Sequence, residues 1–123
     1  MEFDALSNRV IGCALTVHRE LGPGLLESVY EQCFAHELRL SQIAFRLQHT
    51  QPVEYKGLRL DCGYRIDLLI EDRLIIELKS VEPLKAIHEA QLLTYMKLAG
   101  LKTSVLINFN VMMLKNGIKR FVH

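Results

Sequence analysis

The sequence predicts an α/β fold, a single domain with a mixed central β-sheet flanked by helices. Three observations carry that prediction. The periodic segments run helix, helix, strands, helix, strands. The chain has 123 residues, the size of one ordinary domain, and no repeat, low-complexity segment or linker divides it, so the domain is taken as 1–123. Hydrophobic residues make up 50%, enough for a packed core.

The elements follow in order. The first twenty residues read as a helix, with Leu6, Val10, Ala14, Val17 and Leu21 at helical spacing and Asp4 or Ser7 as its cap. Gly22-Pro23-Gly24 breaks it. A second helix is expected over Leu25 to Leu40, with Leu26, Val29, Tyr30, Cys33, Phe34 and Leu38 on its apolar side. Short β-type runs then predict strands at 44–50, 52–56, 58–61, 64–70 and 73–79. Lys56-Gly57 marks a hairpin, and Asp61-Cys62-Gly63 another turn. Pro83 opens a third helix that stops at Gly100. A strand at 103–109 follows, then Asn116-Gly117 as a hairpin signal before a basic final strand.

The stretch RIDLLIEDRLIIELKS, 65–80, is the most informative. Strand side chains alternate faces. The even positions Ile66, Leu68, Ile70, Leu74, Ile76 and Leu78 are all apolar and form one core face. The odd positions carry Asp67, Glu77 and Lys79, with Leu69 and Ile75 among them. A loop of Glu71-Asp72-Arg73 pairs Ile70 with Leu74, which places Asp67 opposite Glu77 and Arg65 opposite Lys79. Opposed like charges destabilise a strand pair. They become favourable when they share a divalent cation that takes oxygen ligands.

Composition narrows the classes. No apolar run approaches the ~20 residues of a membrane span. The start, MEFDALSNRV, is acidic and polar, without a signal-peptide pattern, so a cytoplasmic setting is expected. Cys13, Cys33 and Cys62 lack a CxxC spacing and read as reduced, small buried or half-buried residues. The net charge of +1 gives no global attraction for nucleic acid. Any such site needs a local basic cluster or a partner chain.

Further residues surround the hairpin. Glu27 sits in the first turn of the second helix, where its charge suits the dipole, and Tyr30 lies on a similar face. On the third helix, Gln91 and Tyr95 are neighbours four residues apart, and His88 lies on the same helix. That helix directly follows the strand of Glu77 and Lys79, and a crossover packs it back on the sheet beside them.

Gly24-x-x-Glu27-x-x-Tyr30 resembles the signature of the GxxExxY proteins, a small bacterial family placed in the PD-(D/E)XK nuclease-like superfamily. The resemblance runs from about residue 5 to the end. Asp67 matches that superfamily's aspartate, Glu77-Leu78-Lys79 its ExK, and Gln91-x-x-x-Tyr95 the QxxxY of its exonuclease-like branch. Glu27 matches a helical glutamate used as a further metal ligand. Ile66 stands where the superfamily often has proline.

The resemblance implies a restriction-endonuclease-like core and Mg²⁺- or Mn²⁺-dependent hydrolysis of phosphodiester bonds, with DNA the expected nucleic acid. It implies Asp67, Glu77 and Glu27 as metal ligands, Lys79 as the residue at the attacking water, and Gln91 and Tyr95 as supporting or phosphate contacts. His18 and His88 are possible additions. Arg65, Arg73, Lys85 and Lys97 are the expected phosphate contacts, with Lys115, Lys119 and Arg120 as a second basic patch. No sequence-specific reader such as a helix-turn-helix or zinc motif is present, so non-specific or structure-selective cutting, a homodimer, or targeting by a partner protein is expected. The alternative is a nucleic-acid-binding or protein-interaction module on the same fold with weak or no catalysis. The blandest option is a structural domain with a solvated acidic face.

Overall fold

An acidic cap starts the first helix. In this computed structural model, which describes residues 4–123 apart from the side chain of Cys62, Asp4 Oδ1 accepts the Ser7 N–H at 2.7 Å and caps helix α1, Ala5–Leu21. Residues 1–3 of the expected helix lie outside the described part. Gly22, at φ 72°, ends α1, a backbone setting that favours glycine. Helix α2, Glu27–Leu40, starts two residues later than expected. Leu25 is held out of the helix because its N–H donates to the Tyr30 hydroxyl, and Leu26 remains extended.

The four short strands expected between 44 and 70 are two long ones. Strand β1 is Phe45–Tyr55 and β2 is Leu58–Ile70, joined at Lys56-Gly57 with φ 47° and 85°. Asp61-Cys62-Gly63 is not a turn. The register of β1 against β2 shifts between Gln51 and Val53, and Gly63 is the residue that lets the strands approach there. A Cβ at Gly63 would collide with the Val53 side chain and the Gln51 carbonyl.

Strand β3, Leu74–Lys79, pairs antiparallel with β2, and Ile70 faces Leu74 across the three-residue loop, as the apolar pattern required. Helix α3, Ala86–Ala99, begins after Pro83 rather than at it; the His88 ring closes its start by accepting the Lys85 N–H at 3.0 Å. Strand β4, Thr103–Asn108, runs parallel to β3, and β5, Ile118–Val122, runs antiparallel to β4. Asn116-Gly117 is not a two-residue hairpin. It closes a 3-10 turn, Leu114–Gly117, within a longer connection, and a Cβ at Gly117 would collide with the Asn108 carbonyl.

The sheet order is β1-β2-β3-β4-β5, mixed and five-stranded. Helices α1 and α2 cover one face, where Val10, Ala14, Tyr30 and Phe34 pack on Leu68, Ile70, Ile76 and Leu78. Helix α3 covers the other, where Leu92 and Met96 pack on Leu69, Ile75 and Leu106. Both faces are therefore buried, not one alone. The parallel β3–β4 pair requires a crossover, and the crossover helix covers the second face. Each fully buried Leu or Ile contributes about 1.5–3 kcal/mol, so Leu69 and Ile75 belong to a second core rather than to a solvated face.

One even position departs from its face. Ile66 packs in the α3-side core, while Leu68 packs in the α1/α2-side core. The alternation slips between them, at Asp67. No helix among the described residues is long and apolar enough to cross a membrane.

Candidate active site

The ladder between β2 and β3 ends at Leu68 and Ile76. Beyond that pair side chains replace it. The Asp67 N–H donates to Glu77 Oε1 at 3.1 Å, and the Leu78 N–H donates to Asp67 Oδ2 at 2.9 Å. The two carboxylates thus sit in a fork where neighbouring strands separate. Their opposition follows the expected register. The expected Arg65–Lys79 pair does not form, because the strands have parted: Arg65 pairs with Thr50 of β1, and Lys79 with Asn108 of β4.

The fork is crowded with carboxyl groups. Glu77 is buried, and burial pushes its carboxyl well above the ordinary value, with the Asp67 charge adding to the rise and Lys79 opposing it. Burial also raises Glu27; Lys79 opposes the rise, and Asp67 and Glu31 add to it. Lys79, half-buried at the end of β3, is the cation within this set.

The loop before α2 sets where Glu27 stands, within the influence of Lys79, Asp67 and Glu31. Gly24 adopts φ 95°. The Tyr30 hydroxyl donates to Gly22 O at 2.6 Å and accepts the Leu25 N–H at 3.1 Å, while its ring stacks on Phe109 with centroids 4.5 Å apart. Ser80 Oγ, one residue past Lys79, donates to Leu25 O at 2.6 Å. Gly24 and Tyr30 shape the mount, and Glu27 is the side chain it presents.

On the other side, Tyr95 of α3 stacks on Tyr64 with centroids 4.3 Å apart, and the Tyr64 hydroxyl donates to Tyr95 O at 3.1 Å. Burial, then the charges of Glu77 and Asp67, raise the Tyr95 phenol. Burial, then Tyr95 and Glu77, push Tyr64 up to about 12. Both phenols therefore stay protonated beside the acids. Gln91 stays exposed on α3 and makes no bond to the carboxylates.

The expected phosphate contacts are dispersed. Arg65 lies exposed in a groove with Thr50, Asp61 and Tyr64. Lys97 borders another groove with Gln51 and Arg59, and Lys85 is exposed at the start of α3. Arg73 sits in the turn at the opposite end of the hairpin, where its charge acts on Asp4. The C-terminal patch is tied into the fold: Lys119 pairs with Glu89 at 2.7 Å, and Arg120 with Asp4 at 3.6 Å. His18 is buried and bonds Val111 O at 2.8 Å, away from the acids.

Three residues beside the fork escaped the sequence reading. Glu31 lies one turn after Glu27, a spacing that could have revealed it. Gln48 Nε2 donates to Glu31 Oε1 at 2.6 Å and to Asp67 Oδ1 at 3.3 Å. Asn108, buried at the end of β4, accepts from Val81 N and donates to Val81 O, which fixes the exit of β3. An isolated Gln or Asn in a strand carries no signal of such a role.

The donor set suits a hard divalent cation. Asp67, Glu77 and Glu27 offer oxygen ligands; burial raises Glu77 and Glu27 first, and the neighbouring carboxylate charges add to it. Among the described residues, no group of three or more His, Cys, Asp or Glu side chains is gathered into a metal-holding cluster.

Residues 4–121 match the family described as the PD-(D/E)XK nuclease superfamily. The chain belongs to this superfamily. No curated protein and no solved structure matches it in the same comparisons. For a PD-(D/E)XK protein, membership indicates a nuclease-like function, nucleic acid as the class of substrate and divalent metals as the general class of cofactor.

Proposed function

We propose that this PD-(D/E)XK chain is a Mg²⁺-dependent nuclease that hydrolyses phosphodiester bonds of DNA, built as one domain of the GxxExxY kind over residues 1–123. The observation that carries the reading is the fork, where the Asp67 N–H bonds the Glu77 carboxyl, the Leu78 N–H bonds the Asp67 carboxylate, and Lys79 is the cation among them. Asp67 and Glu77 would hold Mg²⁺, or Mn²⁺ in its place, and Glu27 would complete the acidic set. When bound, the cation supplies a lowered pKa for water and charge to offset the scissile phosphate.

The chain's own groups do the rest. The Lys79 ammonium orients the attacking water and stabilises the charge that builds on the phosphate oxygens in the transition state. The Tyr95 hydroxyl, held protonated, donates to a substrate phosphate oxygen. Gln91, exposed on the same helix, reaches the substrate from outside the fork. Arg65, Lys85 and Lys97 contact flanking phosphates, each exposed. A second copy or a partner protein supplies targeting, because the chain's net charge is only +1.

A second reading has its own support. The Asp67 and Glu77 carboxylates already bond β2 and β3 together, which a binding module without catalysis would also use. The experiment that separates the two is incubation with single-stranded, duplex and branched DNA and with RNA in Mg²⁺. The nuclease cuts DNA, and Lys79→Ala stops the cutting. Cutting that survives Lys79→Ala unchanged overturns the assignment, and binding without cutting selects the module.

A further inference from the structure

Gln48 has a backbone that its position in the strand does not explain. It lies in the middle of β1 with φ 51°, in the left-handed region that side-chain-bearing residues rarely enter. Leu47 pairs with Leu68 and His49 with Ile66, so Gln48 lies opposite Asp67. The alternation of β2 slips at this same level, with Ile66 on the α3 side and Leu68 on the other. The distortion of one strand therefore faces the displaced aspartate of the other.

The side chain gives the distortion a purpose. The Gln48 amide has two N–H bonds and spends one on Glu31 Oε1 and one on Asp67 Oδ1. Two carboxylates as partners require the nitrogen, not the oxygen, to face them. Asp67 Oδ2 is held separately by the Leu78 N–H. Gln48 and the Leu78 N–H thus anchor one Asp67 oxygen each, while the Glu77 carboxyl also bonds the Asp67 side chain. A Lys or Arg in place of Gln48 would neutralise Asp67 and compete with a cation there. A neutral amide aims the carboxylate and leaves its charge intact.

We propose that Gln48 is a positioning residue for Asp67, carried into place by a left-handed backbone and aiming that carboxylate into the fork between β2 and β3. Its consequence for cutting rests on the nuclease reading; its hold on Asp67 does not. Gln48→Gly tests it, because glycine accepts the backbone and removes the amide.

Three quantities are read on the full chain: thermal stability without metal, amide hydrogen exchange at Leu78, and Mn²⁺ affinity by calorimetry. The expected variant melts no lower than wild type. Its Leu78 amide exchanges about tenfold faster, as one weakened charge-assisted bond allows, while neighbouring β3 amides keep their protection. Mn²⁺ binds about 10–100-fold more weakly, as when a ligand loses its supporting contact. On DNA, kcat falls and KM holds. Gln48→Glu, which replaces the donor by a third carboxylate, loosens Leu78 further. Unchanged Leu78 exchange overturns the proposal, and so does loosening spread over the sheet with a lower melting temperature. If wild type neither binds Mn²⁺ nor cuts, yet Gln48→Gly loosens Leu78 alone, the positioning role stands and the nuclease reading falls.

Discussion

Replacing Glu77 by Gln should make the metal-free protein more stable at neutral pH. Glu77 is only 7% exposed, and its carboxyl is raised from 4.5 to about 9, first by burial and then by Asp67. A carboxyl whose folded pKa lies above its unfolded one stabilises fully below the unfolded value. That contribution is lost as pH rises toward the folded value. From the unfolded value to pH 7 is about 2.5 pH units, and ~1.4 kcal/mol per unit gives about 3.5 kcal/mol as an upper bound, shared with Asp67. Gln keeps an oxygen to accept the Asp67 N–H and adds no charge. Removing the penalty should raise the melting temperature at pH 7 by roughly 10 °C for a chain of this size. Thermal melts in EDTA at pH 5 and pH 7 measure it. Wild type should lose stability relative to Glu77→Gln across that interval. A variant that melts at or below wild type at pH 7, with the same dependence on pH, shows that the buried Glu77 carboxyl carries no such penalty.

Other outcomes follow from the same geometry. Mg²⁺ at 100 times its Kd should stabilise wild type by about 2.7 kcal/mol, and Asp67→Ala should abolish that gain in a thermal titration. Tyr30→Phe loses the hydroxyl's bonds to Gly22 and Leu25 and should cost about 1–2 kcal/mol in urea unfolding. Asn108→Ala removes bonds to Val81 and Asn110 from a buried site and should cost about 2–4 kcal/mol by the same measurement.

The opposition of Asp67 and Glu77 was legible because it continues the register of a regular strand pair. Period-two alternation placed Asp67 across from Glu77, and the apolar set chose the three-residue loop between them. The errors have physical causes. Asp61-Cys62-Gly63 has turn composition, but Gly63 serves a close approach between long strands. Asn116-Gly117 has hairpin composition, but Gly117 fits beneath the Asn108 carbonyl at the end of a 3-10 turn. The crossover helix expected to pack back on the sheet does so, and its Leu92 and Met96 bury Leu69 and Ile75 on the odd face of β2 and β3. Gln48 was invisible because its left-handed backbone is imposed by tertiary context, and only glycine advertises that conformation in a sequence. The basic residues looked clustered along the chain, yet Arg120 and Lys119 are engaged with Asp4 and Glu89.

The nuclease proposal requires the fork between β2 and β3 to be a divalent-cation site. A crystal structure in Mn²⁺, with anomalous scattering recorded, tests it most directly. A peak is expected between the carboxylates of Asp67 and Glu77, with the Glu27 side chain turned toward it. Full Mn²⁺ in the crystal, no peak at the fork, and Asp67 and Glu77 still bonded only to Leu78, Gln48 and each other would contradict it.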